Sequence, residues 1–153
     1  MPTIKKASLN DVPNILSILK NTEIFENISQ EKVIQDISQN FTLIYIIDNE
    51  VVGYLSYRPL SEDGEDCAII HNLDTDAYVI DTLAILPEYQ DLGFATGLLT
   101  NAMFNIHPSS IYLLGFTSND TLRGEGLYKY LGFTLIKEVP NYNGHQNTRI
   151  YLK

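Results

Sequence analysis

Apolar and polar positions alternate along the chain with two periods, near 3.6 and near 2, which predicts helices and strands in turn. Residues 3–6 read as a short edge strand. Ser8 and Asp11 make a capping box ahead of Val12, Ile15, Leu16 and Leu19, whose spacing predicts a helix. Pro13 falls in its first turns, where a missing N–H matters least. A second short helix is predicted from Ser29, with Val33, Ile34 and Ile37 on one face. Residues 43–47 and 51–57 read as strands joined through Asp48, Asn49 and Glu50, a composition suited to a hairpin turn.

Residues 61–76 are loop-like and hold six acids, Glu62, Asp63, Glu65, Asp66, Asp74 and Asp76. Residues 78–86 are nearly all apolar or β-branched apart from Asp81 and Thr82, the pattern of a central strand buried on both faces. Pro87 to Gly93 then close the strand and open the best-patterned helix of the chain, with Ala95, Leu98, Leu99, Ala102, Met103 and Ile106 at intervals of three and four. His107-Pro108 stops it. Residues 111–116 suit another buried strand, 122–131 a short helix with Gly132 at its C-cap, and 133–138 with 148–152 a closing hairpin. The predicted fold class is α+β, a mixed and mostly antiparallel sheet flanked by helices, in a single domain over 1–153.

The 153 residues carry ten Lys and Arg against nineteen Asp and Glu, a formal charge of -9. Binding to nucleic acid requires basic surface that displaces phosphate counterions, so this balance argues against it, and equally against an anionic membrane. A cationic ligand is favoured, although net negative charge also serves plain solubility. No apolar run approaches a membrane span, and no apolar stretch follows the lysines of the first residues, so a cytoplasmic protein is expected. Cys67 is the one cysteine, flanked by Glu65 and Asp66, which oppose thiolate formation. His71, His107 and His145 show no metal-ligand spacing, so no metal is implied.

Candidate chemistry gathers at Gln90-Asp91-Leu92-Gly93-Phe94-Ala95, between a buried strand and an amphipathic helix. The first turn of a helix offers N–H groups without intrahelical acceptors, together with partial positive charge. Gly93 and Ala95 keep side-chain bulk low, so a phosphate can approach the backbone. An ordinary strand–helix turn is the plain alternative. A P-loop is excluded because no Gly-Lys pair occurs, and a dinucleotide fingerprint because Gly124-Glu125-Gly126 lacks its third glycine.

In this setting the segment LAILPEYQDLGFATGLL resembles motif A of the GNAT acetyltransferase superfamily, Gln/Arg-x-x-Gly-x-Gly/Ala after a strand. Gly126 to Phe133, with Tyr128 followed by Gly132-Phe133, resembles that family's motif B. The resemblance implies a central strand pair, 78–86 and 111–116, splayed at one end around acetyl-CoA. The pantetheine arm would pair with the backbone of Leu83, Ala84 and Ile85, and the pyrophosphate would meet N–H groups of Gln90, Asp91, Leu92, Gly93, Phe94, Ala95 and Thr96. An Asn common in the family falls here on Thr121, so either Thr121 or nearby Asn119 would supply that contact.

The same resemblance makes Tyr128 the general acid that protonates the departing CoA thiolate; a phenol is protonated at neutral pH and can donate. Tyr130, roughly 200° further round the helix, is expected in the core. Asp81, the one acid within the central strand, would act on the amine as base or as anchor. Backbone N–H groups near Ile85 would polarise the thioester carbonyl. Tyr142, Gly144 and His145 would border the acceptor pocket on family analogy. The reading is an acetyl-CoA-dependent N-acetyltransferase acting on a small-molecule cationic amine, with a homodimer allowed because relatives often form one. A protein N-terminus or lysine as acceptor, and a non-catalytic acyl-CoA-binding module, are the alternatives.

Overall fold

The computed structural model describes residues 2–21, 29–59, 78–106, 111–116, 129–140 and 147–152, with backbone alone at Asp81, 111–116, 135–140 and 147–152. Strand β1 is Thr3–Lys6 and helix α1 is Val12–Lys20. Between them Leu9–Asp11 form a 3-10 turn, so the α-helix starts later than Ser8. The cause is Pro13, which has no N–H to give to the Leu9 carbonyl; the Val12 N–H takes that carbonyl instead. The capping box forms, with Asp11 Oδ2 accepting from the Ser8 N–H at 2.7 Å and from the Ser8 hydroxyl at 3.2 Å.

Helix α2 is Gln30–Ser38, capped by Ser29, whose Oγ accepts from the Lys32 N–H at 3.2 Å. Val33 and Ile37 are buried, but Ile34 is 36% exposed, contrary to the single face predicted. At 100° per residue Ile34 stands well round from Val33 and at the edge of the stripe that Val33 and Ile37 share. Strand β2 is Thr42–Ile47 and β3 is Glu50–Pro59, paired antiparallel. Asp48 and Asn49 join them at φ 50° and 65°, the two positive values that the tightest hairpin turn requires.

Strand β4 is Tyr78–Ile85, helix α3 is Phe94–Ile106, and β5, β6 and β7 are Ile111–Phe116, Thr134–Pro140 and Asn147–Leu152. The chain divides into two compact units, Met1–Tyr57 with Thr82–Asn105, and Arg58–Asp81 with Ile106–Lys153. In the first, hydrogen-bonded strands run in the order β1-β2-β3-β4; in the second, β4-β5-β7-β6. All ladders with a described register are antiparallel except β4 with β5, which is parallel. The architecture is therefore mixed α+β with a mostly antiparallel sheet.

The core of the first unit packs Val12, Ile15, Ile18 and Leu19 of α1 and Val33 and Ile37 of α2 on Ile44, Tyr54 and Ala84. On β3, Gly53 lets two layers close: a Cβ there would lie 2.5 Å from Ile85 Cδ1, 3.3 Å from Ala84 O and 3.5 Å from Leu98 Cδ1. In the second unit Tyr130 is 82% exposed, where the sequence predicts core. It sits just ahead of the chain reversal at Gly132, and the buried aromatic ring is Phe133 instead.

Candidate active site

Strand β4 ends where Leu86 N–H donates to Val52 O at 2.8 Å, and the chain then turns through Pro87–Tyr89 into α3. Thr82, Ala84 and Ile85 are buried and Leu83 is half-buried, so this end of the strand is fixed by packing. The parallel ladder with β5 covers Tyr78–Ile80 against 111–113, whereas β4 continues to Ile85. Gln90 braces the turn by donating from Nε2 to Ile85 O at 3.1 Å, which ties together two positions that the sequence marks separately.

Beyond Gln90 the backbone alternates in hand: Asp91 is at φ 63° and Gly93 at φ 87°, with Leu92 between them outside the positive region. Such alternation turns successive N–H groups to one side and makes a concavity suited to an anion. The earliest described bond of α3 runs from Gly97 N–H to Gly93 O at 3.1 Å. Phe94, Ala95 and Thr96 therefore present N–H groups that the helix itself cannot engage, at its positive end. A Cβ on Gly93 would meet nothing within 4 Å, so the space over the turn is open, yet a side chain at that φ would be strained. These features fit a pyrophosphate held by backbone alone.

Aromatic packing holds the turn from beneath. Phe94 stacks on Tyr45 at 4.8 Å between ring centroids and on Tyr89 at 5.9 Å. Tyr89 in turn donates its hydroxyl to Glu50 Oε2 at 3.2 Å. The Glu50 carboxylate holds the Tyr89 phenol above the usual tyrosine value, with desolvation adding to it. Sequence reasoning missed Glu50 and Tyr89 as supports of the turn.

The match of a family model decides the relationship. Residues 13–133 match the acetyltransferase (GNAT) family. The chain belongs to that family. It is accordingly an N-acetyltransferase with acetyl-CoA as donor.

Solved structures resemble this GNAT chain in fold. The ribosomal-protein-S18-alanine N-acetyltransferase of Escherichia coli is 18% identical with a TM-score of 0.78, over 99% of this chain and 92% of its own. PaiA N-acetyltransferase of Thermoplasma acidophilum, in complex with coenzyme A, is 16% identical with a TM-score of 0.75, over 100% and 98%. N-acetylglutamate synthase of Neisseria gonorrhoeae, complexed with coenzyme A and N-acetyl-glutamate, is 20% identical with a TM-score of 0.75, over 100% of this chain and 35% of its own. No curated protein matches.

Of the residues marked in the GNAT sequence, Leu83, Ala84, Ile85 and Gln90 to Thr96 lie on one continuous strand–turn–helix segment of the first unit. Asp81 is on β4, described by its backbone. Tyr128, Asn119, Thr121, Tyr142, Gly144, His145 and the acidic stretch 61–76 lie outside the described residues, as do Cys67, His71 and His107. Among the described residues no group of three His, Cys, Asp or Glu side chains is placed to share a metal ion, and no helix is long and apolar enough to cross a membrane.

Proposed function

We propose that this GNAT enzyme acetylates a small cationic primary amine, and that the turn from Gln90 to Thr96 holds the pyrophosphate of acetyl-CoA. The observation that carries the cofactor assignment is the run of N–H groups at Gly93, Phe94, Ala95 and Thr96, gathered by the alternating φ signs and ahead of the first described helical bond. Leu83, Ala84 and Ile85 would offer backbone groups to the pantetheine amides, as an added strand does. Thr121 or Asn119 would complete the cofactor contacts. Acetyl-CoA supplies an activated acyl group; the chain's own part is to hold it and to move protons.

For those protons, Asp81 is assigned to the amine, as base through water or as anchor, and Tyr128 to the departing thiolate, both on the strength of the family motifs. The cationic acceptor is supported by charge: residues 59–122 hold no Lys or Arg, and the whole chain carries -9. Family coverage of 13–133 supports reading 1–153 as one N-acetyltransferase domain. The single cysteine suits a cytoplasmic setting.

The test is acetyl-CoA-dependent thiol release over polyamines, aminoglycosides, amino acids and basic peptides, with wild type beside Tyr128→Phe. Turnover with a polycationic small amine, reduced about 10²-fold or more by Tyr128→Phe at unchanged acetyl-CoA affinity, is expected. Activity confined to peptides would replace the acceptor assignment. Acetyl-CoA affinity lost with normal turnover in Tyr128→Phe would remove the acid.

A further inference from the structure

Within the first unit, the opening turn of α3 rests on a side chain of β2. A Cβ placed on Gly97 would lie 3.1 Å from Tyr45 Cε2 and 3.5 Å from Ile4 Cδ1, so any side chain at 97 would press on the Tyr45 ring. Phe94, at the start of the same turn, has its ring centroid 4.8 Å from that of Tyr45. Ile4 and Tyr45 are partners across β1 and β2, and Tyr45 is opposite Gly53 across β2 and β3. The ladder of β2 with β3 shifts register between Tyr45 and Ile46. An irregularity of this kind bends a strand and re-aims its side chains. Here it falls at the residue beneath the turn, while Ile44 and Ile46 on either side pack with the core of α1 and α2.

We propose that Tyr45 is a positioning residue for the donor site: its ring supports Phe94 and Gly97 from beneath and so fixes the direction of the N–H groups of Gly93, Phe94, Ala95 and Thr96. The proposal rests on the reading of Gln90 to Thr96 as the pyrophosphate turn. Backbone donors held in place before binding lose little freedom when the anion arrives, and misdirected donors forfeit hydrogen bonds to charge. Removing the ring should therefore weaken CoA binding about tenfold, whereas removing the hydroxyl alone should change it by less than about twofold. A ligand that lacks the pyrophosphate should respond to neither change.

The experiment is titration, followed by NMR, of wild type, Tyr45→Phe, Tyr45→Leu, Gly97→Ala and Gly93→Val with CoA and with S-acetyl-pantetheine, beside a denaturation midpoint for each protein. Expected are wild-type CoA affinity in Tyr45→Phe, affinity about tenfold weaker in Tyr45→Leu, and about threefold weaker in Gly97→Ala, whose new methyl group pushes the Tyr45 ring aside. Affinity for S-acetyl-pantetheine should be the same in wild type and in the variants at positions 45 and 97. Should Tyr45→Leu fail to fold, Gly97→Ala decides, because alanine favours the helix that glycine weakens. If Gly93→Val binds CoA as wild type does, the pyrophosphate turn itself is wrong. If Gly93→Val loses CoA while Gly97→Ala and any folded Tyr45→Leu bind it as wild type does, the turn stands and the role of Tyr45 is overturned. Weakening that extends equally to S-acetyl-pantetheine would also overturn it, because a general loosening of the fold would then be the cause.

Discussion

Gly53 and Gly93 serve opposite needs. Gly93 is required by its backbone, at φ 87° over open space, and Gly53 by its surroundings, since any side chain there would strike Ile85 and the Ala84 carbonyl. The Ile85 contact is with the far end of a side chain, which can shift, but Ala84 O is backbone and Leu98 is fully buried. Gly53→Ala should therefore lower stability by about 1–3 kcal/mol, read as a reduced denaturation midpoint at unchanged slope. An unaltered midpoint would show that the β3–β4–α3 packing is looser than described. Single residues also show where sequence reading stops. Gly93 stands out in the sequence by its place between a buried strand and an amphipathic helix, a place that an ordinary strand–helix turn explains as well, and the structure adds its positive φ. The left-handed state of Asp91 is not legible, because many residue types are common in such turns and only the backbone records the sign of φ.

At the level of elements, the strands and helices were legible wherever one period dominated: 111–116 coincides with its predicted bounds, and the helix predicted to stop at His107-Pro108 ends at Ile106. Errors fell on side-chain direction near element edges, at Ile34 beside its stripe and at Tyr130 close to a chain reversal. Contacts between distant elements were invisible. Glu50, at the start of β3, meets Tyr89 across 39 positions of sequence, and nothing in either local pattern announces the pair. That pair makes a pH prediction. The folded Tyr89 holds its proton above the usual value, chiefly because of Glu50, so the unfolded chain loses that proton first as pH rises through about 10. The unfolded state then binds fewer protons, and stability falls with increasing pH. Wild type should consequently lose more stability than Tyr89→Phe between about pH 9 and 11. Parallel curves for the two proteins would remove the Glu50–Tyr89 interaction from the account.

For the molecule as a whole, charge and site make one picture. Under the proposed function, a chain of net charge -9 whose turn after β4 contains no cation would hold its anionic donor through backbone N–H groups, and the same negative charge would favour a cationic acceptor. The two substrates should respond to salt in opposite ways: KM for a polycationic amine should rise as salt is added, while general repulsion of acetyl-CoA is relieved. The most direct test of the central claim, that the turn after β4 holds the donor through its backbone, is to follow amide resonances by NMR while CoA is added to the ¹⁵N-labelled protein. The account predicts that the amides of Gly93, Phe94, Ala95 and Thr96 shift most among the described residues, and that pantetheine alone leaves them in place. Saturable CoA binding that leaves those four amides unmoved would contradict it.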